Sequence, residues 1–443
     1  MKKIIVIGAG ASGMLAAITA ARQGASVTLL EGMEKPGKKL LITGSGRCNL
    51  TNLRQESTCY RGADAEFVGN VLEQFNVADT LSFFREIGLL TIARDGYVYP
   101  VTGQASSVLE VLLLEIKRLG VKLKCMEKVL SIEKNITDVS EKDSEYKTGP
   151  IFRVRTAGWT YEADAVILAA GSKAAPATGS DGSGYALARK CGHFLVTPRE
   201  ALVPLTIREG WIKKLSGLRM QAAVTLEGHT EKGELQWTDT GISGIVVFQL
   251  SRFAVRALAE RPGVTGGKTK SVPVQLDLLP FVSAEELFDH LANRKAMQPD
   301  GCSAESLLAG VFAKKAIAPL LQAAGIRPSE KAAKLSDKDL HRLITAVKQL
   351  TLTVSGSRSF EQAQVCQGGV CCTEIHPQTL ESRKMPGLYI VGELLDVDGI
   401  CGGYNLQWAW ASGFAAGRAA AARQSNTPQQ ATGHQASERN VHE

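Results

Sequence analysis

No two of the nine cysteines form a Cys-x-x-Cys pair, and the Gly-x-Gly-x-x-Gly stretch near the start has no second copy in the 443 residues. The missing dithiol excludes a disulfide reductase of the glutathione reductase kind, which needs two thiols at that spacing beside its flavin. Cys366-x4-Cys371-Cys372 lacks the paired spacing of a zinc or iron–sulfur site, so no metal is expected. An odd number of thiols (Cys48, Cys59, Cys125, Cys191 and Cys302 are followed by those three and Cys401) argues against a disulfide framework and for a reducing cytoplasm. Without a second glycine fingerprint, no separate nicotinamide-binding domain is expected. Gly241-Ile242-Ser243-Gly244 falls one residue short of the Gly-x-Ser-x-Gly elbow and argues against a serine hydrolase. The apolar run from Ile4 to Ala21 carries three fingerprint glycines and stops at Arg22, so neither a membrane span nor a cleaved leader is expected. A net charge of +7, from 51 Lys+Arg against 44 Asp+Glu, is a mild excess that admits an anionic cofactor without demanding nucleic acid.

What is present begins with that run. Ile4-Ile5-Val6-Ile7 reads as a buried strand, Gly8-Ala9-Gly10-Ala11-Ser12-Gly13 as a glycine turn, and the Ala-rich segment after it as a helix. Gly8 permits the tight turn, Gly10 lets backbone approach a pyrophosphate, and Gly13 with Ala17 lets helix and strand lie close. A second strand, Ala25 to Leu30, ends at Glu31, where an acid accepts hydrogen bonds from a ribose. With 44% hydrophobic residues the chain can bury a large core and divide into two or three domains.

Farther along, Lys35 to Asn52 is a glycine-rich basic loop that joins backbone N–H groups with Lys38, Lys39 and Arg47, and it suits phosphate or flavin-edge contacts. Val68 to Gly88 and Ser106 to Gly120 have helical spacing, and Ala165 to Gly171 is a buried strand closing on glycine. From Leu195 to Phe281 the pattern changes to short alternating segments, including Gly244 to Leu250, read as an inserted β domain. Ser283-x-x-Glu286 is a capping box opening a helical part that runs through Ala304 to Ala324 and Asp337 to Leu350. Leu350 to Val354 reads as the returning strand. Leu388 to Glu393 and the Gly402-Gly403 turn into a small-residue helix form a second cofactor-type segment, whose N-terminal dipole favours an anionic group. The expected fold is α/β: a Rossmann-type domain (1–193 and 350–423) split by a β-barrel (194–282) and a helical cap (283–349), with a disordered-looking stretch at Glu141 to Gly149 and a polar tail at 424–443.

The wording of these motifs is more specific than their types. Gly37-Lys38-Lys39-Leu40-Leu41, Gly44-Ser45-Gly46-Arg47-Cys48-Asn49-Leu50-Thr51-Asn52, Gly368-Gly369-Val370 and the run from Gly392-Glu393 through Asp396-Val397-Asp398-Gly399 to Gly402-Gly403-Tyr404-Asn405 resemble the BaiN/YhiN family of flavoproteins. The resemblance spans Lys2 to about Arg418 and implies noncovalent FAD on the split Rossmann-type domain. It implies that Gly8, Gly10, Gly13, Glu31, Lys38, Lys39, Arg47, Asn49, Val129, Gly171, Glu393, Asn405 and Leu406 line the FAD. The same motifs bring Ala11, Ser12, Gly46, Gly392 and Gly403 into the set. Where the family's β insertion reads Thr-His-x-Gly-x-Ser-Gly-Pro, this chain has Thr238-Asp239-Thr240-Gly241-Ile242-Ser243-Gly244-Ile245.

Members of the family resemble reductases of conjugated C=C bonds in 3-oxo bile-acid intermediates, ribosomal RNA dihydrouridine synthases and aminoacetone oxidases. The first is the expectation here, with NAD(P)H as transient reductant and a small hydrophobic 3-oxo substrate; RNA is the partner under the second reading, for which Arg294, Lys295, Lys314, Lys315, Lys331, Lys334, Lys338, Arg342 and Lys348 of the cap would track phosphate. The segments Trp237 to Phe248 and Tyr404 to Trp410 are apolar and aromatic and are expected to wall the flavin, with core packing an equal alternative for Trp408 and Trp410. Tyr404 and Asp239 are the candidates for enolate-side donor and proton relay, on side-chain chemistry alone.

Overall fold

The computed structural model describes residues 1–134, 151–260, 270–299 and 301–422, so the stretch Glu141 to Gly149 and the 424–443 tail lie outside the described residues. Its organising layer is a five-stranded sheet in the order Leu388–Ile390, Ala165–Leu168, Lys3–Ile7, Ser26–Leu30, Lys122–Lys124, with every pairing parallel. The first strand is central, and Ile4 to Ile7 are buried, as a strand covered on both faces must be. An edge strand comes from the far end of the chain, so the sheet is complete only after the insertion has been threaded.

Helix Ala11–Arg22 follows the glycine turn and packs against the C-terminal helix Tyr404–Ala421. Small residues let these two backbones nearly touch: a Cβ on Gly413 would lie 2.3 Å from the Ser12 carbonyl oxygen, and one on Gly417 2.5 Å from that of Ala16. The helix that closes the chain is thereby locked onto the helix that opens it.

Two connecting strands, Leu195–Ala201 and Val365–Val370, pair antiparallel and carry the chain out of this domain and back. Between them lies a closed barrel in the order Leu205–Ile207, Gly241–Ser243, His229–Trp237, Arg219–Leu226, Val272–Asp277, Leu350–Ser357. It has its own core, shared with helices Ala284–Met297, Lys314–Ala323 and Asp337–Lys348, and Trp237 is fully buried in it. The predicted capping box is formed: Ser283 Oγ accepts the Glu286 N–H at 3.0 Å, and Glu286 accepts the Ser283 N–H at 2.8 Å. Among the described residues no helix is long and apolar enough to cross a membrane.

Three local expectations are corrected. Gly244 to Leu250 is not a strand but the start of helix Ile245–Glu260, whose buried Val246, Val247, Leu250, Ala254 and Val255 recur at helical spacing. Its valines favour β structure over a short window, and the tertiary contacts of a full-length apolar stripe override them. Leu195–Ala201 pairs with the returning connector rather than joining the barrel. Leu350 to Val354 is a barrel strand paired with both Val272–Asp277 and Leu205–Ile207, so it closes the insertion rather than leaving it.

Candidate active site

The glycine turn shows a different need at each glycine. Gly8 has φ +102°, and a Cβ there would meet the Ala169 carbonyl oxygen at 2.5 Å. A Cβ on Gly13 would sit 1.9 Å from the Gly8 oxygen, so the helix can lie on the strand only without a side chain. At Gly10 a Cβ would meet nothing within 4 Å, because this residue faces open space at the helix N-terminus. Close packing therefore requires two of the glycines, and the third borders room for a ligand. Glu31 is fixed beside this turn, accepting the Ala9 N–H and the Met33 N–H, each at 2.9 Å.

The open space is a cleft of about 280 Å³. Of the residues expected at the cofactor, Gly8, Gly10, Ala11, Ser12, Glu31, Lys38, Lys39, Val129, Gly171, Glu393, Asn405 and Leu406 line it. Gly13, Gly46, Arg47, Asn49, Gly392 and Gly403 do not border it, and three of them hold its frame from behind. Gly13 seats the first helix as described, Gly392 (φ +67°) lies against Ser12, and Gly403 (φ +97°) caps helix Tyr404–Ala421. Cys48, in the basic loop, is buried, and burial pushes its thiol up to about 12, which makes it an inert packing residue at neutral pH.

Two buried acceptors, one of them on the cleft-lining Glu393, have no partner among the described residues. Lys39 Nζ reaches Glu393 Oε2 at 2.5 Å, yet Glu393 Oε1 is buried and unbonded, as is Asn49 Oδ1. Buried acceptors are normally satisfied, so these two ask for donors that the described residues do not supply. FAD fits these residues: its pyrophosphate suits the space at Gly10, its ribose suits Glu31, and its ribityl hydroxyls and ring imide carry N–H and O–H donors of the kind the two orphaned oxygens lack. Asn405 is held for its part, donating through Nδ2 to the Gly399 carbonyl at 2.9 Å and accepting the Gly399 N–H at 2.8 Å.

The two catalytic candidates are not brought to this lining. Tyr404 is buried with its ring edge-on to Tyr60, centroids 6.0 Å apart, and burial holds its phenol well above the usual value. Asp239 is exposed at the end of a barrel strand. The expected aromatic wall is also changed: Trp237 lies inside the barrel, and Trp410 is a core residue donating Nε1–H to the Leu50 carbonyl. Trp408 is buried too but borders the cleft, its Nε1–H tied to the Gly392 carbonyl at 3.0 Å.

Sequence reasoning missed the wall formed by Thr178, Ser180 and Asp181, where Asp181 pairs with Lys128 at 2.6 Å. A glycine-rich opening at 179–184 was its one visible signal. It also missed Arg252, whose guanidinium meets Asp398 across the two domains, because no local pattern marks a partner 146 residues away.

The model of the HI0933-like protein Rossmann domain matches residues 2–419. The chain is 45% identical to the 3-dehydro-bile acid delta(4,6)-reductase of Clostridium scindens over 435 residues, which cover 96% of this chain and 100% of that protein. It is 30% identical to the ribosomal RNA dihydrouridine synthase of Escherichia coli and 31% to that of Haemophilus influenzae, in each case over 93% of this chain and 96% of the other. The likeness runs from the first strand into the C-terminal helix, and the chain belongs to this HI0933-like Rossmann family, the BaiN/YhiN flavoproteins of the motif reading, as an FAD-dependent oxidoreductase.

Proposed function

We propose that the enzyme uses NAD(P)H to reduce a carbonyl-conjugated C=C bond in a 3-oxo-4-ene or 4,6-diene of the bile-acid type. The observation that carries this is the 45% identity to the bile-acid reductase along its whole length, against 30% and 31% to the RNA-modifying relatives. FAD, once reduced, supplies the hydride. The chain's residues orient and enclose: Lys39 and Glu393 form a charged pair beside the space, and the N-terminus of helix Tyr404–Ala421 favours negative charge there.

The RNA reading keeps some support from two relatives of that activity, yet four of the nine cap cations it relies on are already engaged within the protein. Arg342 pairs with Asp339, Lys348 Nζ pairs with Asp277 at 2.7 Å, Arg294 donates to the Ser306 carbonyl, and Lys315 to that of Ser216. Cations held this way are poor candidates for tracking phosphate.

The test has two anaerobic steps. NADH and NADPH are mixed separately with the FAD-loaded protein, and bleaching of the flavin band is followed by stopped flow. The reduced protein is then offered a 3-oxo-4,6-diene bile acid, a uridine-containing ribosomal RNA fragment, or O₂. Fast reoxidation by the steroid, with product heavier by two hydrogens, supports the proposal. Reoxidation by RNA alone, or by oxygen alone with peroxide formed, overturns it.

A further inference from the structure

Outside the lining already described, the inserted domain meets the turn Cys401–Gly403. On one side of this turn lies the hairpin strand Tyr97–Pro100, which buries Val98 and Pro100 and leaves Tyr97 and Tyr99 half-exposed on its other face. Ile92, an exposed apolar side chain, is the cross-strand partner of Tyr99. The Tyr97 ring rests on the turn itself: a Cβ on Gly402 would lie 2.8 Å from Tyr97 Cε1, so glycine there admits the phenol. On the other side is helix Ile245–Glu260. Its Gln249 Oε1 accepts the Cys401 N–H at 2.9 Å, Phe248 and Cys401 both pack against the cluster of Ala201, Leu202 and Val365, and Ile245, nearly one turn earlier, is 50% exposed.

The turn leads into the helix whose Asn405 and Leu406 line the cleft. Two half-exposed phenols beside the turn, with the exposed Ile92 next to Tyr99, suit a flat hydrocarbon ring system carrying one carbonyl.

We propose that Tyr97 and Tyr99 form a substrate-recognition face beside this turn, with Tyr97 donating its O–H hydrogen bond to the carbonyl oxygen of the conjugated alkene. This rests on the reductase reading above. In that reaction the β-carbon gains a hydride from the reduced flavin and the α-carbon gains a proton from water. The C=C bond becomes single, and the negative charge passing through the carbonyl oxygen is returned as the carbonyl reforms. Tyr97 keeps its proton throughout and stabilises that oxygen while the charge is on it. Burial raises both phenols above their usual values, so they remain donors at neutral pH.

The test uses the FAD-loaded protein with Tyr97→Phe and Tyr99→Phe. Two measurements are made: calorimetric binding of a saturated 3-oxo steroid, which needs no turnover, and reoxidation of the reduced flavin by the unsaturated one. Flavin content, absorption maximum and rate of reduction by NAD(P)H are expected to stay as in the wild type. Tyr97→Phe should slow reoxidation on the order of a hundredfold, and both variants should weaken steroid binding by about tenfold. Wild-type binding and reoxidation in Tyr97→Phe would overturn the assignment. If the wild type ignores the steroid, the substrate reading fails, and the same variants compared on 2-cyclohexenone still decide the placement of the phenols; a wild type that neither enone reoxidises overturns both.

Discussion

Arg252 of the inserted helix donates to Asp398 of the Rossmann-type domain at 3.1 Å, an ion pair that joins the two domains, with the Asp398 carboxylate almost wholly out of water and the Arg252 side chain 17% exposed. Burial acts on both partners against their charged forms: it pushes Asp398 up to about 6, Arg252 opposing the shift, and it lowers Arg252. The pair thus joins its domains while burial works against the charge of each partner.

Because the native pKa of Asp398 is raised, its contribution is fully present below the unfolded value near 4 and is lost as pH rises through about 6. Asp398→Asn, which resembles the protonated acid, should therefore gain stability relative to the wild type between pH 4 and pH 6.5, read as a shrinking Tm deficit or a growing Tm excess. Arg252→Met should cost about 3 kcal/mol at pH 8, where it leaves an unpaired buried carboxylate, and less at pH 5. Denaturant melts at the two pH values check this; an equal cost at both would refute it.

Gly10 and Gly13 should separate folding from cofactor binding. Gly10→Val adds a side chain where the protein offers no obstacle, so the apoprotein should melt within about 1 kcal/mol of wild type while FAD is no longer retained. Gly13→Ala drives a methyl into the Gly8 carbonyl oxygen and should destabilise the protein by about 3 kcal/mol or more. Pigment recovered after gel filtration, together with the denaturation midpoint of each apoprotein, makes the comparison. Retained FAD in Gly10→Val would place the pyrophosphate elsewhere.

His193 should make stability fall on the acid side. It is buried with Nδ1 3.0 Å from Glu374 and Nε2 2.8 Å from Ser382 Oγ, and that Oγ already accepts the N–H groups of Lys384 and Met385. The serine hydroxyl must then donate to Nε2, which requires the neutral ring. Burial lowers the native pKa, Glu374 opposing, so the stabilisation is present above the unfolded value near 6.5 and is lost as pH falls from there through the native one. His193→Asn should flatten the stability curve below about pH 6.5 relative to wild type. The windows of His193 and Asp398 slope in opposite directions, so each variant, rather than the wild-type curve alone, isolates its own group.

The parallel sheet was legible because its information is local. Ile4 to Ile7 and Ala165 to Leu168 are continuous apolar runs, and a run without alternation belongs in a strand covered on both faces. The glycine turn was legible for a related reason, since backbone approach at Gly8 and Gly13 depends on which residue lacks a Cβ. The helix Ile245–Glu260 was misread because six or seven valine-rich residues satisfy both periods, and only its full length and its packing on the barrel choose between them.

The sequence by itself therefore determined the dinucleotide turn, the acid after the second strand, the capping box at Ser283 and the presence of an insertion, all of which depend on residues a few positions apart. Tertiary structure alone decided that Leu350–Ser357 closes the barrel against Leu205–Ile207, that Arg252 finds Asp398, and that Tyr97 lies on Gly402. Those relationships join segments far apart in the chain, where the preference comes from shape, burial and charge once both surfaces exist, and no local pattern of side chains carries it.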